Sequence, residues 1–174
     1  MFSLYLPYLI AMALGIDPAA PGAVAEAAEA EIAAELAAGS GDDASDRTPE
    51  DQTPTGKFAT ATEVKPILGM TQANWVAVRE FNGEDLVYFT HLLAWRCGLW
   101  DIQYGLNGQA PTETFPMEPC NEGTATPNAL TQVEDFLPYI VAPLGSVEQV
   151  TVRLTYDDGT TEEASFDRGG VLIP

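Results

Sequence analysis

The sequence predicts a mainly β fold: a small antiparallel β-sandwich or partly open barrel, carried behind a helical and disordered N-terminal segment. Three observations predict it. Asn82-Gly83, Asn107-Gly108 and Asp157-Asp158-Gly159 are hairpin signals, because Asn, Asp and Gly tolerate the positive φ of tight turns. The stretches between them alternate apolar and polar residues or are apolar throughout, with little helical periodicity. The chain of 174 residues contains only 2 cysteines, Cys97 and Cys120, which bracket the middle of this region.

The folded domain is expected over residues 61–174. Residues 74–81 alternate, with Val76 and Val78 on one face and Trp75, Ala77 and Phe81 on the other. After the Asn82-Gly83 turn, residues 85–96 are apolar enough to form a central strand buried on both faces. Residues 99–104 form a further strand, with Leu99, Asp101 and Gln103 opposite Trp100, Ile102 and Tyr104. Residues 112–115 return as an edge strand, since Pro111 and Pro116 flank them and cannot donate to a ladder. Asn128 is a candidate cap for a short helix ending near Phe136, ahead of Pro138. Val150, Val152, Leu154 and Tyr156 make the apolar face of a strand whose wet face is Thr151, Arg153 and Thr155. The chain then turns and returns over residues 161–168, with Ala164 and Phe166 as its apolar members.

Ahead of this domain, residues 2–15 are apolar, as long as the hydrophobic part of an export signal and too short to span a bilayer. Ala23-Val24-Ala25 supplies a small-x-small cleavage pattern, so residues 1–25 read as a signal peptide or, if uncleaved, a membrane-anchoring segment. Residues 26–60 read as an Ala/Glu helix followed by a disordered acidic linker. Ala and Glu favour helix over 26–38, whereas 40–57 hold too few apolar side chains to offset the entropy of ordering. The predicted location is therefore periplasmic or secreted, with attachment to the inner membrane as the alternative.

Charge narrows the function classes. The formal net charge is −19, from 7 Lys+Arg against 26 Asp+Glu. Nucleic acid and anionic membrane surfaces require cationic side chains, so no nucleic-acid partner is expected, and membrane contact is expected only through residues 2–15. No cofactor-binding glycine loop or zinc motif is present.

In an exported chain an even cysteine count favours a structural disulfide between Cys97 and Cys120, contributing about 3 kcal/mol by loop closure. Free buried thiols, or a redox or metal role, are the alternatives. The spacing is not C-x-x-C, and one His does not complete a usual zinc site. Trp75, Trp95 and Trp100, with Tyr88 and Tyr104, are candidates for lining a sugar or peptide groove, or for core packing. Arg96 is a candidate for a structural ion pair or for binding a carboxylate ligand. His91, the single histidine, would have to serve any Ser–His–Asp or Cys–His site, with Asp101 or another acid beside it. No nucleophile motif accompanies it, and a satisfied structural imidazole is the alternative. Asp157-Asp158-Gly159 suits either calcium or a turn.

Residues 93–98 (LAWRCG), 104–108 (YGLNG) and 117–120 (MEPC), with the closing residues 150–174, resemble a small domain of uncharacterised exported bacterial proteins. The resemblance covers roughly residues 62–174. It implies a Cys97–Cys120 pair and an appended N-terminus, and brings no activity, cofactor or ligand with it. The expectation is an exported acidic β domain of binding or structural type in the cell envelope, with a protein or small-molecule partner. The alternatives are a hydrolase using His91 and a calcium-stabilised module. The binding reading requires a contiguous exposed aromatic or apolar patch.

Overall fold

The computed structural model describes residues 47–174. The expectations for an export signal, an anchor and the Ala/Glu helix lie outside the described residues. Among the described residues, no helix is long and apolar enough to cross a membrane.

The folded unit takes in residues that the sequence assigns to the linker. Arg47 pairs with Asp101 at 3.0 Å, Glu50 N–H donates to Asp157 O at 2.9 Å, and Gln52 Nε2 donates to Asp157 Oδ1 at 2.8 Å. These ties are polar, so a reading based on apolar content passes over them. Residues 60–63 (TATE) then open a helix that the sequence reading missed, α1 (Ala61–Met70). The Glu63 carboxylate collects the N–H groups of Gly56 and Ala59 and the hydroxyls of Thr55 and Thr60. Burial acts to raise its pKa, but these bonds win and hold it at about 2. Asp157 Oδ1 accepts from Ala61 N–H at 2.8 Å and so caps α1 from a distant turn. Ala61, Val64 and Leu68 form the buried stripe of α1.

A short 3₁₀ turn (Gln72–Asn74) leads to β1 (Ala77–Phe81) and β2 (Glu84–Tyr88), joined in register with Phe81 opposite Glu84. Asn82 and Gly83 have φ of 52° and 83°, the double positive φ that the Asn-Gly pair predicted. The predicted strand over 85–96 stops at Tyr88. Helical turn α2 (Thr90–Leu93) and a 3₁₀ turn (Arg96–Gly98) follow, burying Leu92 and Leu93 together. An apolar run without periodicity fits either geometry, and here packing selects the helical one.

β3 (Leu99–Leu106) pairs with β6 (Gln149–Tyr156), but the register slips between Leu99 and Asp101 and leaves Trp100 as the extra residue. This bulge puts Leu99 and Ile102 on the same buried face, where simple alternation predicts opposite faces. β4 (Glu113–Thr114) is the predicted edge strand beside β3. β5 (Tyr139–Pro143) pairs with β2, and β7 (Thr161–Asp167) pairs with β6. A last turn, α3 (Arg168–Val171), sets β8 (Leu172–Ile173) parallel to β1. The wet face predicted for β6 is only partly wet. Arg153 is half-exposed and paired with Glu163, but Thr151 and Thr155 are buried, Thr151 sharing a 2.9 Å hydrogen bond with Ser165.

The result is mainly β: two four-stranded sheets, ordered β5-β2-β1-β8 and β4-β3-β6-β7, in the manner of a small β-sandwich. Val78 and Val87 of the first sheet share one buried cluster with Ile102, Val152 and Leu154 of the second and with Val64 and Leu68 of α1. One polar clamp ties the two sheets at an end. Asp85 is fully buried on β2 and receives both Arg168 Nη atoms, at 2.7 and 3.0 Å, and Val147 N–H. The Arg168 bonds outweigh burial and hold Asp85 at about 2.

Residues 116–137 contain no helix, contrary to the 128–136 prediction. The donors that would begin it are taken elsewhere: Thr131 N–H and Gln132 N–H go to Glu118, at 2.9 and 3.0 Å. The predicted cap, Asn128, instead accepts from Cys97 N–H and donates to Phe58 O. The Cys97–Cys120 disulfide holds this segment to the domain, with Cα atoms 5.0 Å apart.

Candidate functional site

The structure gives the three tryptophans separate neighbours rather than a shared groove. Trp75 is fully buried, and its indole N–H donates to Leu68 O at 3.0 Å, so it serves the core. Trp95 is half-buried and packs edge-on to Phe58 at 5.4 Å. Trp100 projects from the bulge, donates to Glu50 Oε1 at 2.8 Å and carries Arg47 over its ring. Tyr104 packs against Phe89.

Arg96, the candidate for a carboxylate ligand, is committed internally. It is buried, and its guanidinium donates to the carbonyls of Glu118, Leu93, Asn128, Pro119 and Ala129. Glu118 lies 3.6 Å from Nη2. The structural ion pair expected for Arg96 is this contact. Glu118, which the sequence reading missed, is equally buried. Burial would raise its pKa, but Thr131, Gln132 and Asn121 donate to it and hold it at about 2. An acid inside an irregular, Pro-bearing segment with no periodicity offered no signal.

The remaining candidates separate in the same way. Asp101 pairs with Arg47, whereas His91 contacts Thr71. Asp157 and Asp158, the calcium candidates, already take Ala61 N–H, Gln52, Lys65 and Thr160. Among the described residues no cluster of His, Cys, Asp and Glu is arranged to hold a metal ion.

The register of the first sheet assembles a different surface. Val78 and Val87 are paired and point into the core, so the alternate residues point away from it. That outer face carries Ala77, Tyr88 and Tyr139 in one row, Ile173, Arg79, Leu86 and Val141 in the next, and Phe81, Glu84 and Pro143 in the third. The Tyr88 and Tyr139 rings lie 5.1 Å apart. Phe81, Val141 and Ile173 are 57%, 52% and 44% exposed. An antiparallel sheet facing water ordinarily carries polar residues there.

Arg79 stands in the middle of this face. Of the 7 cationic side chains, Arg47, Lys65, Arg96, Arg153 and Arg168 have carboxylate partners, and Lys57 donates to Thr124 O. Among the described residues Arg79 has none, and its guanidinium lies 5.6 Å from the Phe81 ring centroid. In a chain of net charge −19, an arginine with no carboxylate within ion-pair distance among the described residues is an exception.

At one end of the face a cleft of about 420 Å³ opens between the 72–74 turn, α2 and β8, lined by Asn74, Ala77, Arg79, Tyr88, Thr90, His91 and Ile173. His91 Nε2 lies 2.8 Å from Thr71 Oγ1, and that hydroxyl donates its single proton to Ile67 O at 2.7 Å. Thr71 therefore accepts from His91, so the neutral ring carries its proton on Nε2 and leaves Nδ1 as an acceptor. Burial lowers the His91 pKa, which favours this neutral form.

Compared with protein-family models, with curated proteins and with solved structures, the chain shows no match.

Proposed function

We propose that this chain is an exported acidic domain of the cell envelope that acts by binding, and that it binds through the outer face of the β5-β2-β1-β8 sheet. The observation that carries the reading is that face itself: exposed aromatic and aliphatic side chains beside an arginine that has no ion-pair partner among the described residues. A disulfide in a small domain supports an oxidising compartment. Charge complementarity selects the occupant, a protein of the envelope whose contact surface is apolar and carries a carboxylate opposite Arg79.

The test is a photo-crosslinking residue placed at Phe81 or Val141, with Glu163 on β7 as the control position, in cells of the native host. The expected result is a discrete adduct from positions 81 and 141, absent from 163 and weakened by Arg79→Glu. Equal labelling from all three positions, or no adduct from 81 and 141 in a correctly exported chain, would overturn the reading.

A further inference from the structure

The cleft at the His91 end of the sheet face has a composition that specifies more than apolar contact. Its apolar lining is Ala77, Ile173 and the Tyr88 ring. Its polar groups are Arg79, Asn74 and Thr90, which are exposed, and Tyr88 and His91, which are half-buried. Within the cleft the Arg79 guanidinium, the Asn74 carboxamide and the Tyr88 and Thr90 hydroxyls make no side-chain hydrogen bond among the described residues. His91 Nδ1 likewise has no partner among the described residues and is not buried, so it is open to solvent. A pocket of this size, mostly apolar and bearing a few convergent polar groups, is the usual form of a ligand site.

The polar groups differ in what they accept. Arg79 and Asn74 supply donors on a cationic and a neutral group, the pairing that a carboxylate takes. Neutral His91 offers a bare lone pair, which takes an N–H. The apolar lining takes a side chain. A carboxylate, an amide N–H and an apolar side chain occur together around a single carbon at the C-terminal residue of a peptide chain. An internal Asp or Glu has no apolar group beside its carboxylate, and a free fatty or aromatic acid has no N–H.

We infer that the cleft lined by Arg79, Asn74 and His91 receives the C-terminal residue of the partner protein. The carboxylate lies at Arg79 and Asn74, the terminal amide N–H donates to His91 Nδ1, and an apolar side chain lies on Ala77, Tyr88 and Ile173. This rests on the sheet-face reading above and names the part of the partner that the face receives.

The probe is N-acetylphenylalanine, titrated into ¹⁵N-labelled protein with the disulfide intact and followed by amide chemical shifts. The expected result is saturating shifts at Ala77, Arg79, Tyr88, His91 and Ile173. N-acetylphenylalaninamide, which keeps the side chain and N–H but loses the charge, should bind about tenfold more weakly, as should the wild-type probe to Arg79→Gln. Arg79 is exposed, so this variant should keep the wild-type spectrum away from the cleft. 4-Phenylbutyrate, which keeps the charge and ring but has no N–H, should also bind more weakly, and His91→Phe should abolish that difference. Equal binding of the acid and the amide would overturn the carboxylate assignment. Equal binding of phenylbutyrate would overturn the peptide terminus in favour of a small organic acid. No shift at the cleft residues would overturn the inference outright. The crosslinks from Phe81 and Val141 would still report separately on the sheet face.

Discussion

Glu118→Gln is the substitution that most directly probes how this domain holds its irregular half. The carboxylate receives Thr131 N–H at 3.0 and 2.9 Å on its two oxygens, the Thr131 hydroxyl at 2.7 Å, Gln132 N–H at 3.0 Å and Asn121 Nδ2 at 3.3 Å. Glutamine keeps the shape but turns one oxygen into an NH₂. Whichever way the amide is flipped, a donor then faces donors. If Nε2 replaces Oε2, it meets Thr131 N–H and Gln132 N–H; if it replaces Oε1, it meets Asn121 and Arg96. Arg96 also keeps its charge in a buried site without a counter-ion. Removing one partner of a buried pair costs about 3–5 kcal/mol. Against a total stability of about 5–15 kcal/mol, that is a large fraction. Urea unfolding followed by tryptophan fluorescence, with the disulfide intact, should show the midpoint falling by about 2 M at a typical m-value. Glu118→Ala should cost as much or more, because the same donors lose every acceptor. A loss below about 1 kcal/mol in both variants would mean that water replaces the carboxylate without penalty, and that the Arg96–Glu118 unit does not organise residues 116–137.

Other outcomes follow from the same geometry. A Cβ at Gly105 would fall inside the contact radius of the Gln109 and Ala110 carbonyl oxygens, both main-chain atoms; Gly105→Ala should therefore destabilise strongly, by about 2 kcal/mol or more in urea unfolding. Cys97→Ser with Cys120→Ser should cost about 3 kcal/mol, since the bridge spans a separation of 23 residues; reduction of the wild type should lower its melting temperature to match. Glu63, Asp85 and Glu118 are each held at about 2. Folded-state values below the unfolded ones mean stability that is fully present above about pH 4.3 and lost as pH falls toward 2. A melting temperature measured from pH 6 to pH 2 should fall steeply in that window, and less steeply in Asp85→Asn. Removing the tie of the N-terminal stretch with Gln52→Ala should destabilise by about 1 kcal/mol and raise amide exchange at Ala61 and Thr62, whose N–H groups depend on Asp157 and Gln52.

Turns and alternating strands were legible because they are local. Asn82-Gly83 and Asn107-Gly108 adopt the positive φ that their residue types predict, and β7 keeps the period-two exposure that its sequence alternation predicts. The T-x-x-E sequence at Thr60–Glu63 was an equally local signal of a helix start, and was not read as one. The disulfide was legible by count, since two cysteines admit one intramolecular pairing.

The sequence by itself determined a mainly β domain, its hairpins and its acidity, because backbone propensity, side-chain periodicity and charge act over a few residues or are simple sums. Only the tertiary structure decided the rest. Whether 85–96 stayed extended depended on packing. Whether Leu99 and Ile102 shared a face depended on a one-residue slip against β6. Whether Thr131 and Gln132 continued a helix depended on a carboxylate 13 and 14 residues away. The outer face was the least legible feature of all. Phe81, Tyr88, Val141 and Ile173 come from four strands, and only the register brings them around the one arginine without an ion-pair partner among the described residues. Which residues become neighbours across a sheet is set by long-range pairing, and long-range pairing is settled only when the whole core closes.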